Sequence, residues 1–124
     1  MILYEEMSVA IIGCAIEVHK HPGPALLESA YEECLCFELS SKGLLCKRQV
    51  ALPVTYKGMA PDCGYRMDLV VNDSIIVEIK SIERLNPIHE AQLLTYLRLS
   101  GKRVGLLINF NVPILKNGII RKIL

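Results

Sequence analysis

The sequence predicts an α/β (α+β) domain: a mixed β-sheet with flanking helices, in the order helix, helix, three strands, helix, two strands. Three observations predict it. Apolar residues recur at helical spacing in two segments near the N-terminus and in one that follows Pro87. Short apolar or alternating runs bounded by turn residues occupy most of the rest. A helix lying between two such runs suits a right-handed crossover, which calls for a mixed sheet with helices packed on it.

The chain has 124 residues, 52% hydrophobic and 22% charged. That length fits one domain, residues 1–124, and the composition is that of a globular protein and not of a disordered one. No apolar run approaches the roughly 20 residues of a membrane span. The apolar "MSVAIIGCAI" follows two glutamates and lacks the basic leader of a secretory signal, so a cytoplasmic protein with no membrane partner is expected.

The first helix is expected from Glu5 to about Lys20, with Val9, Ile12 and Ile16 on its apolar face and Gly13 allowing close packing. "HKHPGPA" breaks it, and Pro24 is placed to open a second helix that carries Leu27, Tyr31, Cys34, Leu35 and Leu39 on one face until Gly43. Cys46 to Tyr56 alternates as a strand, with Pro53 marking an edge position or a bulge, and "KGMAPDCG" is a turn region. A hairpin follows: a strand from Tyr65 to Val71, a turn at "NDS", then "IIVEIKS". Pro87 opens a helix to about Ser100, capped by Gly101. "KRVGLLINF" is a buried strand, and a turn at "KNG" leads into "IIRKIL", a short last strand.

Cys14, Cys34, Cys36, Cys46 and Cys63 form no C-x-x-C pair and no even count, which predicts mostly buried, reduced thiols. His19, His21 and His89 are expected as surface or capping residues, so zinc has no obvious ligand set. Net charge is +1, unevenly spread. Residues 1–41 carry seven acids and one base, residues 42–67 five bases and one acid, and residues 102–124 five bases and no acid. Two basic segments could therefore meet phosphates if they fold onto one face.

The hairpin "DLVVNDSIIVEIKS" concentrates the chemistry. On a strand, Glu78 and Lys80 share a face with Ile76, while Ile75, Val77 and Ile79 take the other. A three-residue turn at Asn72, Asp73 and Ser74 would pair Val71 with Ile75 and bring Asp68 opposite Glu78; a two-residue turn would not. Two facing carboxylates repel unless a divalent cation sits between them, and hard oxygen ligands suit Mg²⁺ or Mn²⁺. A surface ion pair of Glu78 with Lys80 is the alternative.

Asp68 followed by Glu78-Ile79-Lys80 resembles the core of the PD-(D/E)XK nuclease superfamily. Upstream, "GPALLESAYEECL" resembles the signature of the GxxExxY family within it; "EAQLLTYLRLSG" and "VGLLINFN" resemble its downstream helix and strand. The resemblance runs from about Val9 to Ile123. It implies a restriction-endonuclease-like core and hydrolysis of DNA or RNA phosphodiesters by a metal-activated water. It also implies Asp68 and Glu78 as metal ligands with the Ile79 carbonyl, Lys80 as catalytic lysine, and Glu28 as a further acid touching the metal directly or through water. Gln92 and Tyr96, four apart on one helix face, would pack at the site, as would Tyr31. Lys47, Arg48 and Arg66 are weaker candidates for backbone contact. One departure is that the first signature glycine falls at Ala25, where near a helix start alanine should cost little.

A structure-specific nuclease of the Holliday junction resolvase type, small and dimeric, is a related reading; +1 is a weak charge for binding DNA unaided, and a homodimer joining two basic segments eases that objection. The competing class is a non-catalytic nucleic-acid-binding or regulatory protein that keeps the fold. A protein-interaction module is the third.

Overall fold

A computed structural model describes residues 4–61 and 64–124. Helices α1 (Glu5–Lys20) and α2 (Glu28–Ser41) precede strands β1 (Cys46–Ala51), β2 (Arg66–Val71) and β3 (Ile75–Lys80). Helix α3 (Pro87–Ser100) leads to β4 (Val104–Asn109), a short 3-10 turn (Leu115–Gly118) and β5 (Ile119–Ile123). The five strands lie in sequence order in one sheet. Only β3 and β4 are parallel, across the α3 crossover; the other three pairs are antiparallel. The expected mixed sheet and element order are thus observed.

The sheet buries both faces. Leu69, Val71, Ile75, Val77, Ile79, Leu106 and Ile108 pack against α1 and α2; Val70, Ile76 and Leu107 pack against Leu93, Tyr96 and Leu97 of α3. Burial on both faces is why β3 and β4 read as near-continuous apolar runs. Against that background Glu78 and Asn109, both buried, are conspicuous.

The caps of α3 are those expected. Pro87 sits at its first turn, the Asn86 backbone N–H donates to His89 Nδ1 at 2.9 Å, and Gly101 closes it in the left-handed conformation at φ 76°.

Several local expectations are corrected. The buried face of α1 is Ser8, Ile11, Cys14, Ala15, Val18 and His19, and Val9 is 64% exposed. Because α1 carries apolar residues nearly all round, periodicity alone did not select the face. His19 is not a surface residue; its Nε2 donates to the Val112 carbonyl at 2.8 Å. Helix α2 starts at Glu28 and not at Pro24, because Gly23 and Ala25 take φ of 70° and 78°, which no right-handed helix can include. β1 stops at Ala51: Pro53 has no N–H to continue the ladder. Beyond it a tight Tyr56–Met59 bridge turns at Lys57 and Gly58. Cys34 is exposed, whereas Cys14 is buried and Cys36 and Cys46 are half-buried; Cys63 lies outside the described residues. Among the described residues no helix is long and apolar enough to cross a membrane.

Candidate metal centre

The hairpin turn decides the register. Asn72 and Asp73 adopt φ of 49° and 54°, a left-handed geometry these residues tolerate, and Asn72 Oδ1 accepts the Leu45 N–H at 2.8 Å while Lys102 pairs with Asp73 at 3.1 Å. The turn therefore spans three residues, and Val71 pairs with Ile75, Val70 with Ile76 and Leu69 with Val77. Continued by one step, that register brings Asp68 opposite Glu78. There Asp68 Oδ2 accepts the Ile79 N–H at 2.8 Å, so a carboxylate stands where a strand carbonyl otherwise would.

Glu78 is 5% exposed, and its Oε1 is buried with no hydrogen-bond partner among the described residues. Burial, and then the adjoining Asp68 carboxylate, push its carboxyl up to about 9; the Asp68 backbone N–H and the Lys80 ammonium offset this only in part. At neutral pH Glu78 is accordingly protonated. Lys80, half-buried, is two residues on along the same strand and on the same side.

From α3, Tyr96 completes this side of the site. Burial raises its phenol, followed by the negative charge of Glu78 and Asp68, which are close enough to act on it. Gln92 Nε2 donates to the Tyr96 hydroxyl at 3.1 Å. The Gln92 and Tyr96 pair is thus linked to the acids only through the charge they exert on the tyrosine.

The family profile described as the PD-(D/E)XK nuclease superfamily matches residues 5–122. The chain belongs to that superfamily. No curated protein and no solved structure matches it. In this PD-(D/E)XK nuclease fold, the spacing of Asp68 and Glu78-Ile79-Lys80 is carried by β2 and β3, and the helix upstream of the sheet is α2.

The stretch around Glu28 has a clear structural duty. Tyr31, fully buried and stacked on Phe110 at 4.3 Å, donates its hydroxyl hydrogen to the Gly23 carbonyl at 2.5 Å and accepts the Leu26 N–H at 3.1 Å. Ser81 Oγ donates to the Leu26 carbonyl at 2.6 Å, and Glu28 Oε2 accepts the Ser81 N–H at 3.1 Å. The turn before α2 is thereby clamped to the residue after Lys80. Ala25, where the resembled GxxExxY signature would have glycine, has φ 78°; here alanine does carry a conformational cost, contrary to expectation.

Do these residues fit a divalent cation? A buried carboxylate oxygen without a partner, beside a second carboxylate, has the donor chemistry for one. Among the described residues no three His, Cys, Asp or Glu side chains cluster as a metal cage. Mg²⁺ commonly takes one or two carboxylates with water and substrate phosphate, so the acid pair fits that ion. Superfamily members generally use such metals.

Three side chains escaped the sequence reading as site components. Glu32 on α2 is 5% exposed, accepting from Arg48 Nε at 3.1 Å and Gln49 Nε2 at 3.0 Å. Gln49 also faces Asp68, with Nε2 3.5 Å from Oδ1. Asn109 holds the loop after β3: its Oδ1 accepts the Ile82 N–H at 3.1 Å and its amide donates to the Ile82 carbonyl at 3.0 Å. An asparagine inside the apolar "LLINF" is a readable signal of a buried polar duty; Gln49 offered none.

Proposed function

We propose that this chain is a metal-dependent nuclease of the GxxExxY family, hydrolysing phosphodiester bonds of DNA or RNA. The observation that carries the reading is the buried Glu78 Oε1, without a hydrogen-bond partner among the described residues, beside the Asp68 carboxylate with Lys80 on the same strand. Among the described residues the fold completes Asp68 but leaves one oxygen of Glu78 without a hydrogen-bond partner, although Glu78 does share hydrogen bonds with Asp68.

In this reading Asp68 and Glu78 hold Mg²⁺ or Mn²⁺ with the Ile79 carbonyl, and Glu28, which accepts the Ser81 N–H and forms no three-acid cluster with them, reaches it through water. A divalent cation supplies positive charge against phosphate oxygens and acidifies a water. Glu78 must release its proton to bind it, and the Lys80 ammonium favours that release. Lys80 also presents charge to a phosphate as negative charge builds on its oxygens. Gln92, through its bond to Tyr96, orients the hydroxyl that faces the acid pair. A homodimer joining the basic segments of two copies would offset the modest net charge of +1.

Incubation with Mg²⁺ or Mn²⁺ and a panel of single- and double-stranded DNA and RNA tests this. Cleavage is expected, falling by about 100-fold or more in Lys80→Ala and Asp68→Asn. The absence of a three-residue acid cage among the described residues favours a second reading, a non-catalytic nucleic-acid-binding protein. Oligonucleotide binding that needs no cation and is indifferent to Asp68→Asn, with no cleavage of any substrate, would establish the second and sink the first.

A further inference from the structure

Gln49 lies directly across the sheet from Asp68. Arg48 pairs with Leu69 and Val50 with Met67, so the residue between the first pair of neighbours faces the residue between the second. Yet Gln49 has φ 52°, the left-handed region that a glutamine in a strand has no local reason to enter. The consequence appears in the packing. Leu69 packs on the α1 and α2 side and Val70 on the α3 side, as alternation demands, but Met67 and its partner Val50 both pack on the α3 side. Strict alternation from Leu69 would send Met67 the other way. The reversal falls at Gln49 in β1 and at Asp68 in β2, and it lets Arg48 and Gln49, though adjacent, both reach Glu32 on α2.

The Gln49 amide has two hydrogens and two acceptors around it. One is Glu32 Oε2 at 3.0 Å; the other is Asp68 Oδ1 at 3.5 Å. Glu32 is buried, and Arg48 takes its other oxygen at 3.1 Å, so the anchor at the far end of the amide is fixed on both sides. Asp68 Oδ2 is meanwhile held by the Ile79 N–H at 2.8 Å. Backbone strain retained at one residue whose side chain reaches two acids, one of them in the candidate site, is what a functional constraint looks like.

We infer that Gln49 is a positioning residue for Asp68: clamped by the buried Glu32 and Arg48 pair, it turns the Asp68 carboxylate toward Glu78 so that the two can share a divalent cation. The inference rests on the reading of Asp68 and Glu78 as metal ligands. Gln49 itself does not touch the cation, and its amide nitrogen acts only through Asp68. Partners at this remove from a metal commonly change affinity by about 10- to 100-fold.

Two substitutions separate positioning from folding. Gln49→Met keeps the length and removes the amide, while Gln49→Gly removes the side chain and relieves the left-handed φ. Mn²⁺ titration calorimetry on the folded variants is expected to give affinity at least tenfold weaker for both than for the unsubstituted protein, although Gln49→Gly, which relieves the left-handed φ, is destabilised less than Gln49→Met. Hydrogen exchange at the Ile79 N–H reads the same link with no cation present, and should quicken about tenfold in both variants while amides in α3 do not change. Affinity within twofold in both variants, or unaltered Ile79 exchange, would overturn the inference. If the unsubstituted protein binds no Mn²⁺, the metal reading falls, and Ile79 exchange alone then decides whether Gln49 positions Asp68.

Discussion

Glu32 and Glu78 are equally buried, each 5% exposed, and they sit on either side of Asp68 in a connected set of polar groups. Their surroundings differ. Both oxygens of Glu32 are taken, by Arg48 Nε and Gln49 Nε2, so its charge is compensated within the chain. Glu78 has an oxygen with no partner among the described residues, an acid for a neighbour, and a carboxyl pushed up to about 9. Burial alone therefore does not distinguish the two acids. What distinguishes them is that, among the described residues, the fold completes both oxygens of Glu32 and leaves one oxygen of Glu78 without a partner.

The same substitution at the two positions should have opposite signs. Glu78 is raised from 4.5 to about 9 in the folded state. Between those values the folded chain binds more protons than the unfolded one, so this group's stabilisation is fully present below about pH 4.5 and is lost as pH rises toward 9. Glu78→Gln, which mimics the protonated acid, should raise stability at pH 7 by up to about 3 kcal/mol and leave it unchanged near pH 4. Urea unfolding of both proteins from pH 4 to 9 measures the difference; a gap that does not widen with pH would mean that Glu78 ionises freely and is not frustrated. Saturating Mn²⁺ should narrow the gap at pH 8, by stabilising the unsubstituted protein alone.

Glu32→Gln should instead destabilise, by about 2 kcal/mol at pH 7, because the amide that replaces the carboxylate leaves Arg48 without its anion and turns an N–H toward a donor. The same denaturation series reads it. A neutral or stabilising result would place Glu32 with Glu78 as a second incomplete acid and erase the contrast between them.

The contrast was only half legible in the sequence. Asp68, Glu78 and Lys80 could be grouped because strand alternation and a three-residue turn act over a few residues, and the Val71 to Ile75 pairing is the one that grouping required. α3 was similarly local, its ends written in Pro87 and Gly101. Glu32 looked like one of several helical acids, since its partners lie 16 and 17 residues away on β1. Nothing in "KRQVA" announces a left-handed glutamine, and the reversal of alternation at Met67 depends on it. The late start of α2 had the same origin: two positive φ angles before Glu28 that residue identity indicated at Gly23 and concealed at Ala25.

The turn carrying Gly23 and Ala25 sets where α2 begins, and so where both Glu28 and Glu32 stand. Tyr31→Phe keeps the ring stacked on Phe110 but strands the Leu26 N–H and the Gly23 carbonyl. A loss of about 1 to 1.5 kcal/mol is expected in urea unfolding. The Ser81 N–H, which the clamped turn holds through Glu28, should also exchange faster. If Ser81 exchange is unchanged, Tyr31 serves the core alone and not the site.

Ala25→Gly is the mildest and most selective probe. At φ 78° an alanine Cβ crowds the backbone, at a cost of about 1 to 2 kcal/mol that glycine avoids. Glycine also gains freedom in the unfolded chain, which returns part of that difference, so the net gain should be about 0.5 to 1 kcal/mol, or a few degrees in Tm. Because the relief is local and lies before α2, it should shift the whole stability curve upward without altering its slope between pH 5 and 9, which belongs to Glu78. Scanning calorimetry at pH 5 and pH 8 separates the two. An equal rise at both pH values keeps the acid pair independent of the turn, whereas a rise only at pH 8 would show that the strained turn, acting through Glu28 and Ser81, shares in holding Glu78 protonated.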